Sequence, residues 1–360
     1  MDNPQAPVVH ASEASTIQST PYYSGRAPIE RLPIELTHKI FLQSLEFNLP
    51  RASLHVSNAL STEVIYTWLI RLAFSSNNPS SKTSIFDHPY LPLDYFSLSS
   101  SARTHLQEEI LKCRWLTPSL LRKCQREYVE HVLAKKASHL TMSENDRHAL
   151  LNLDPYWDSM NRFDVTPPGR RGKGEFMITC AEPPTSTTDP TLSAPASRKL
   201  SIWFNFGAVQ IRSPSPVFQD IDVFQLPCST GLAELPRIPD RFLTAPWTDE
   251  KFELLILFSC KAYIDENERF ERSKAVLRQL IQDRDFEPFK RLLSLHIRIK
   301  IYEYPLRWPV RPNHFRVAAR CATSGRDDPF LRYLFEQRKE DVPVNDRSIT
   351  ALMAKYKRVH

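Results

Sequence analysis

The sequence predicts an α+β fold that is mostly α: a three-helix N-terminal unit, further helices, a small antiparallel β section and a helical C-terminal region. Three observations lead there. Apolar residues recur at helical spacing through most of the chain. Strict apolar/polar alternation is concentrated around residues 200–211. Glycine is scarce, 7 in 360 residues, whereas proline numbers 29. So few glycines argue against nucleotide folds, whose phosphate loops need several at fixed spacing, and against large turn-rich barrels or sandwiches. Hydrophobic residues at 41% supply a core without disulfide or metal staples.

The elements follow in order. Residues 1–28 are rich in Pro, Ser, Thr and Ala and are expected to form a disordered arm. Leu32-Pro33 opens the first helix, since the residue before a proline avoids the α region and proline suits the first helical position. Glu35 then falls in the first turn and complements the helix dipole. Leu32, Leu36 and Ile40, with Phe41 and Leu45, form one apolar stripe. Asn48-Leu49-Pro50 breaks this helix, a short second helix runs about 51–59, and Ser61 caps a third bearing Ile65, Trp68, Leu69 and Leu72. Residues 29–75 thus form one helical unit.

Residues 76–165 begin with a Ser/Pro-rich loop and continue as helices. One covers about 102–114. Thr117 caps a stronger one with Pro118 at its first position and Leu121, Cys124, Tyr128 and Val132 on one face. Ser143-Glu144 starts another, ending near Leu153. Residues 166–199 read as a linker or a long disordered loop, nearly all Pro, Thr, Ser and Ala from 181 to 197, with a strand expected over Glu175 to Cys180.

Residues 200–360 are mixed. Leu200, Ile202, Phe204 and Phe206 alternate with Ser201, Trp203 and Asn205; Gly207 turns the chain toward Val209 and Ile211; and Val217 to Leu226 adds a strand. Thr248 caps a helix whose Trp247 and Phe252 form a hydrophobic staple. Helices follow at about 267–283 and 286–294, then an amphipathic strand from Leu295 to Ile301. Asn313 caps a helix ending before Gly325, Asp328-Pro329 starts the next, and a last one covers about 348–358.

The net charge of +6 is spread along the chain, which permits acidic partners but lacks the clustered footprint of a nucleic-acid binder; nucleic acid is not an expected partner. Six cysteines include no C-x-x-C pair, the N-terminus lacks a signal-peptide pattern, and the longest apolar run, Leu254 to Phe258, is too short to span a membrane. These features predict free thiols, no membrane partner and a cytoplasmic or nuclear location.

No catalytic signature holds. G-x-S-x-G, H-E-x-x-H and P-loop patterns are absent, and Gly169-Arg170-Arg171-Gly172-Lys173-Gly174 has the wrong spacing for a phosphate loop and reads as a mobile basic loop. Cys113 and Cys124, with His131 and His139, match no common zinc spacing and read as helix-face cysteines with surface histidines. The expectation is a non-enzyme with no cofactor and no metal. An enzyme with an unrecognised site would need a deep pocket with converging polar groups and perturbed pKa values.

Residues 30–74 resemble an F-box. The pattern is Leu32-Pro33-Ile34-Glu35-Leu36, then Ile40-Phe41, Leu49-Pro50 and Val56-Ser57. With Leu60-Ser61 and Leu69-Ile70-Arg71, the stretch is similar to the F-box-like segment of many uncharacterised fungal proteins, a likeness that extends toward residue 140. The resemblance implies docking on the Skp-type adaptor of a cullin ubiquitin ligase, with the rest of the chain recruiting an unknown protein substrate. Leu32, Pro33, Leu36, Ile40, Leu49 and Pro50 would make the apolar contact, with Glu35 at its polar rim. The alternative is a scaffold protein that keeps the unit as an internal packing element. At the C-terminus, residues from His314 to Ala354 resemble one degenerate ankyrin repeat, Ala318 and Ala354 standing close to the period of about 33; an ordinary helical hairpin is the competing reading.

Overall fold

Prolines and hydroxyl side chains set many of the helix starts in the computed structural model. It describes residues 27–75, 98–138, 141–154, 157, 174–181, 197–205, 208–212, 221–225, 235–259, 261–266, 272–299, 305–322, 328–342 and 346–357. The N-terminal arm, most of the loop before residue 98, His139, the basic loop and most of the Pro-rich stretch lie outside the described residues.

Helix α1 (Ile34–Ser44) begins directly after Pro33 and ends at Leu45, whose φ of 50° is left-handed. Glycine is the usual residue there; Leu45 fills the position and packs against the core. The expected single second helix is two, α2 (Leu49–Ala52) and α3 (Leu54–Leu60), because Ser53 leaves the helical region and its Oγ accepts from the Val56 amide. The cap of α4 (Glu63–Phe74) is Thr62 rather than Ser61. Helices α5 (Ser100–Lys112) and α6 (Pro118–Ala137) cover α4. Thr117 caps α6 as expected, its Oγ1 accepting from Leu120 N at 3.3 Å.

A helix end leaves four carbonyls without helical partners. At the end of α4, side chains of α5 answer them. Arg103 donates from Nη1 to Ser75 O at 2.5 Å and to Leu72 O at 3.4 Å, and Gln107 donates to Ala73 O at 2.7 Å. Both side chains are fully buried. The Arg103 charge also complements the negative end of the α4 dipole.

Helix α7 (Glu144–Leu151) is capped by Ser143. The β section is a four-stranded antiparallel meander: β1 (Gly174–Ala181), β2 (Ser197–Asn205), β3 (Ala208–Arg212) and β4 (Ile221–Gln225), in that order. Ala181 pairs with Ser197, so the stretch read as a linker connects two strands of one hairpin. Leu200, Ile202 and Phe224 are buried, the sheet packs on α6, and Phe224 meets Tyr128 at 5.7 Å between ring centroids. An antiparallel bridge from Ser75 to Phe224 ties the end of α4 to the sheet edge.

Helix α8 (Asp249–Ser259) starts at Thr248, whose Oγ1 accepts from Lys251 N, and Trp247 stacks on Phe252 at 5.6 Å. Next comes a small sheet that the sequence reading only partly foresees. Strand β6 (His296–Ile299) pairs in parallel with β5 (Tyr263–Ile264) and antiparallel with β7 (Leu306–Arg307). Helices α9 (Arg272–Asp283) and α10 (Phe286–Leu293) form a hairpin, and α11 (Pro312–Cys321) with α12 (Pro329–Gln337) forms another. The two stack, α9 on α11 and α10 on α12. Phe289, Arg291 and Leu293 of α10 correspond to Phe330, Arg332 and Leu334 of α12, and Phe289 and Phe330 touch at 5.1 Å. Arg311, not Asn313, is the N-cap of α11. Asp328 caps α12 as expected, accepting from the Phe330 and Leu331 amides. One apolar core runs from Phe41 in α1 to Ile349 in α13 (Arg347–Lys357).

Asp346 fastens that last helix. Its Oδ1 accepts from the Ser348 hydroxyl at 2.6 Å and the Ile349 amide at 3.2 Å, and its Oδ2 accepts from Arg316 at 2.6 Å. The Ser348 hydroxyl first, then Arg316 and the Ile349 amide, hold its carboxyl down at about 2, against 3.8 ordinarily. A pKa depressed by folding stabilises above the unfolded value, and that contribution is lost as pH falls through the folded value. Amide protection in α13, taken relative to intrinsic exchange at each pH, is therefore expected to fall between about pH 4 and pH 2. Asp346→Asn should remove that acid step and leave protection at its lowered level across the range.

Candidate functional site

The seven residues assigned by the F-box resemblance separate into two groups. Pro33 and Glu35 are exposed, as are Leu36 and Ile40, at 47% and 40%. Leu32 is half-buried, Leu49 packs against the core, and Pro50 lines a cleft. The single stripe expected on α1 is thus divided. Thr37, His38, Phe41 and Leu42 make the buried face. His38 fixes it, its Nε2 lying 2.7 Å from Ala59 O of α3. Leu36 and Ile40, one turn apart, face outward. Of seven exposed large hydrophobics among the described residues, five lie in residues 34–64: Ile34 (47%), Leu36, Ile40, Leu54 (78%) and Val64 (55%). Isolated exposed hydrophobics are ordinary, whereas here they are concentrated in one small unit.

Ile34, Leu54 and Val64 were not among the expected contacts. Leu54 and Val64 each fall in the first turn of a helix, and hydrophobic spacing alone does not tell an inward position there from an outward one.

Away from Leu36 and Ile40, the N-terminal unit meets the α5–α6 turn around a cleft of about 310 Å³. Phe41, Leu60, Ile65 and Leu69 form its apolar floor, and Tyr66 and Trp115 one wall, stacked at 4.3 Å with 6° between their planes. Arg51, Glu109, Lys112 and Arg114 carry its charges. Cys113 also lines it. Burial pushes this thiol up to about 11, although Arg241 and Arg51 pull the other way, and its Sγ donates to Glu109 O at 3.3 Å. It is therefore a thiol at neutral pH rather than an attacking thiolate. Cys124 is in the core, pushed up to about 12 by burial. Among the described residues no three His, Cys, Asp or Glu side chains gather as metal ligands, and no helix is long and apolar enough to cross a membrane.

No family model, no curated protein and no solved structure matches this chain.

Proposed function

We propose that residues 29–75 dock on a Skp-type adaptor of a cullin ubiquitin ligase and that the remainder of the chain presents a protein substrate. The observation that carries this reading is the outward apolar face of the N-terminal unit, where Leu36 and Ile40 stand open on α1. Had these side chains packed on α5 or α6, the surface would be blocked; instead α1 turns Phe41 inward and leaves them to solvent. The two helical hairpins α9–α10 and α11–α12 stack, the second within the stretch of ankyrin-like resemblance, and such stacks offer extended surfaces suited to protein recruitment. A scaffold role is the second reading, favoured by Leu49 and Pro50, which contact the protein's own core and cleft.

Co-purification with a Skp-type adaptor tests the proposal. Leu36→Lys with Ile40→Lys is expected to weaken binding by about 3 kcal/mol, more than a hundredfold, because central apolar contacts dominate interfaces. Each is a surface change, expected to move stability by about 0.5 kcal/mol or less, so circular dichroism should show an intact fold. Leu32→Ala with Pro33→Ala should weaken binding less, since Leu32 is half-buried. Absence of binding by the native chain would make the scaffold reading the leading one.

A further inference from the structure

The cleft beside the α5–α6 turn combines three features that together describe a ligand. Its accessible lining is apolar, with Phe47, Pro50, Tyr66 and Trp115 half-buried above the covered floor, so it favours a group that sheds water. Its lining is rich in aromatic side chains, Phe47 with the mutually stacked Tyr66 and Trp115, which suits an aromatic ring. Its rim is cationic: Arg51, Lys112 and Arg114 against the single acid Glu109, which Lys112 already engages at 2.5 Å. Arg51 donates to Asn48 Oδ1 at 3.2 Å, and Arg114 has no ion-pair partner among the described residues. Arg241 adds positive charge beside Cys113, its Nε donating to Leu111 O at 2.6 Å.

We propose that this cleft binds a small aromatic carboxylate, with the ring against the half-buried Phe47, Tyr66 and Trp115 side chains and the carboxylate at Arg51 and Arg114. The guanidinium fork matches a carboxylate in shape and charge. At about 310 Å³ the cleft is at the lower end of small-molecule sites, which run about 300–1,000 Å³. That suits one or two fused rings and excludes a nucleotide.

Titrating the full chain with naphthoate, followed by tryptophan fluorescence and ligand-observed NMR, tests the assignment, with neutral naphthylmethanol as the paired probe. Naphthoate is expected to bind about tenfold more tightly than the alcohol, the effect of a charge-assisted contact at a partly open site. The pair Arg51→Gln and Arg114→Gln should abolish that preference while leaving the alcohol's affinity unchanged. Ser61→Trp, at an exposed position lining the cleft, should block both probes with the circular dichroism spectrum intact. Equal affinity for the two probes, binding indifferent to Ser61→Trp, or no binding would each overturn the proposal. Displacement of naphthoate by an acidic tryptophan-containing peptide that binds more tightly than naphthoate would overturn it in favour of a peptide site.

Discussion

Trp308→Ala is expected to destabilise the protein by about 3–5 kcal/mol, the usual cost of removing a large buried aromatic. Trp308 is completely buried and is bonded to three separate elements. Its indole Nε1 donates to Ser273 O in α9 at 3.0 Å. Its backbone amide donates to Leu295 O at 3.1 Å, just before β6. Its carbonyl accepts from Arg338, which is buried just after α12. One residue thus joins the two helical hairpins and the small sheet. Urea unfolding of Trp308→Ala and Trp308→Phe separates volume from bonding. The phenylalanine variant keeps much of the ring but leaves the Ser273 carbonyl without its indole donor, at about 1–3 kcal/mol. A loss below about 1 kcal/mol for the alanine variant would contradict a central packing role.

Phe224→Ala is expected to cost a similar 3–5 kcal/mol, distributed differently. Phe224 projects from β4 onto Tyr128 of α6, and its backbone bridges to Ser75. Both rings are buried, and the sheet's other described buried apolar residues are Leu200 and Ile202. Truncating Phe224 therefore removes much of what holds the meander against the helices. Hydrogen exchange should show β1–β4 amides losing protection before those of α4 and α6, since regions with few buried contacts open first. Uniform loss of protection across the chain would instead show that sheet and helices open as one unit.

Much of this architecture is legible in the sequence because its start signals are local. Thr117, Ser143, Thr248 and Asp328 all cap the helices they precede. Alternation placed β2 and β3 correctly. What the sequence hides is tertiary. Strands β5 and β7 are two residues long and carry no periodic signal. Arg103 and Gln107 sit at core positions of α5 because the exposed carbonyl end of α4 needs donors, a requirement visible only once the helices meet. Leu36 and Ile40 read as one stripe with Phe41, yet only Phe41 turns inward. Spacing shows which residues share a face, while the neighbouring α3 decides which face is covered. The cleft was likewise illegible, being assembled from residues 41–69 and 109–115.

The burial of Arg103 bears on how freely this chain can be rearranged over evolutionary time. Its guanidinium sits over the last carbonyls of α4, and Ile70, Leu72 and Phe74 in the same helix belong to the shared core. Moving residues 29–75 onto another polypeptide would carry away a helix stripped of its covering neighbours. It would also expose to water the core face of α5 left behind, where Leu106, Ile110 and Leu111 are now buried. The N-terminal unit is thus not an interchangeable cassette. It shares one core with the helices behind it, and recombination that cuts between residues 75 and 98 would produce two pieces that each lack an essential surface.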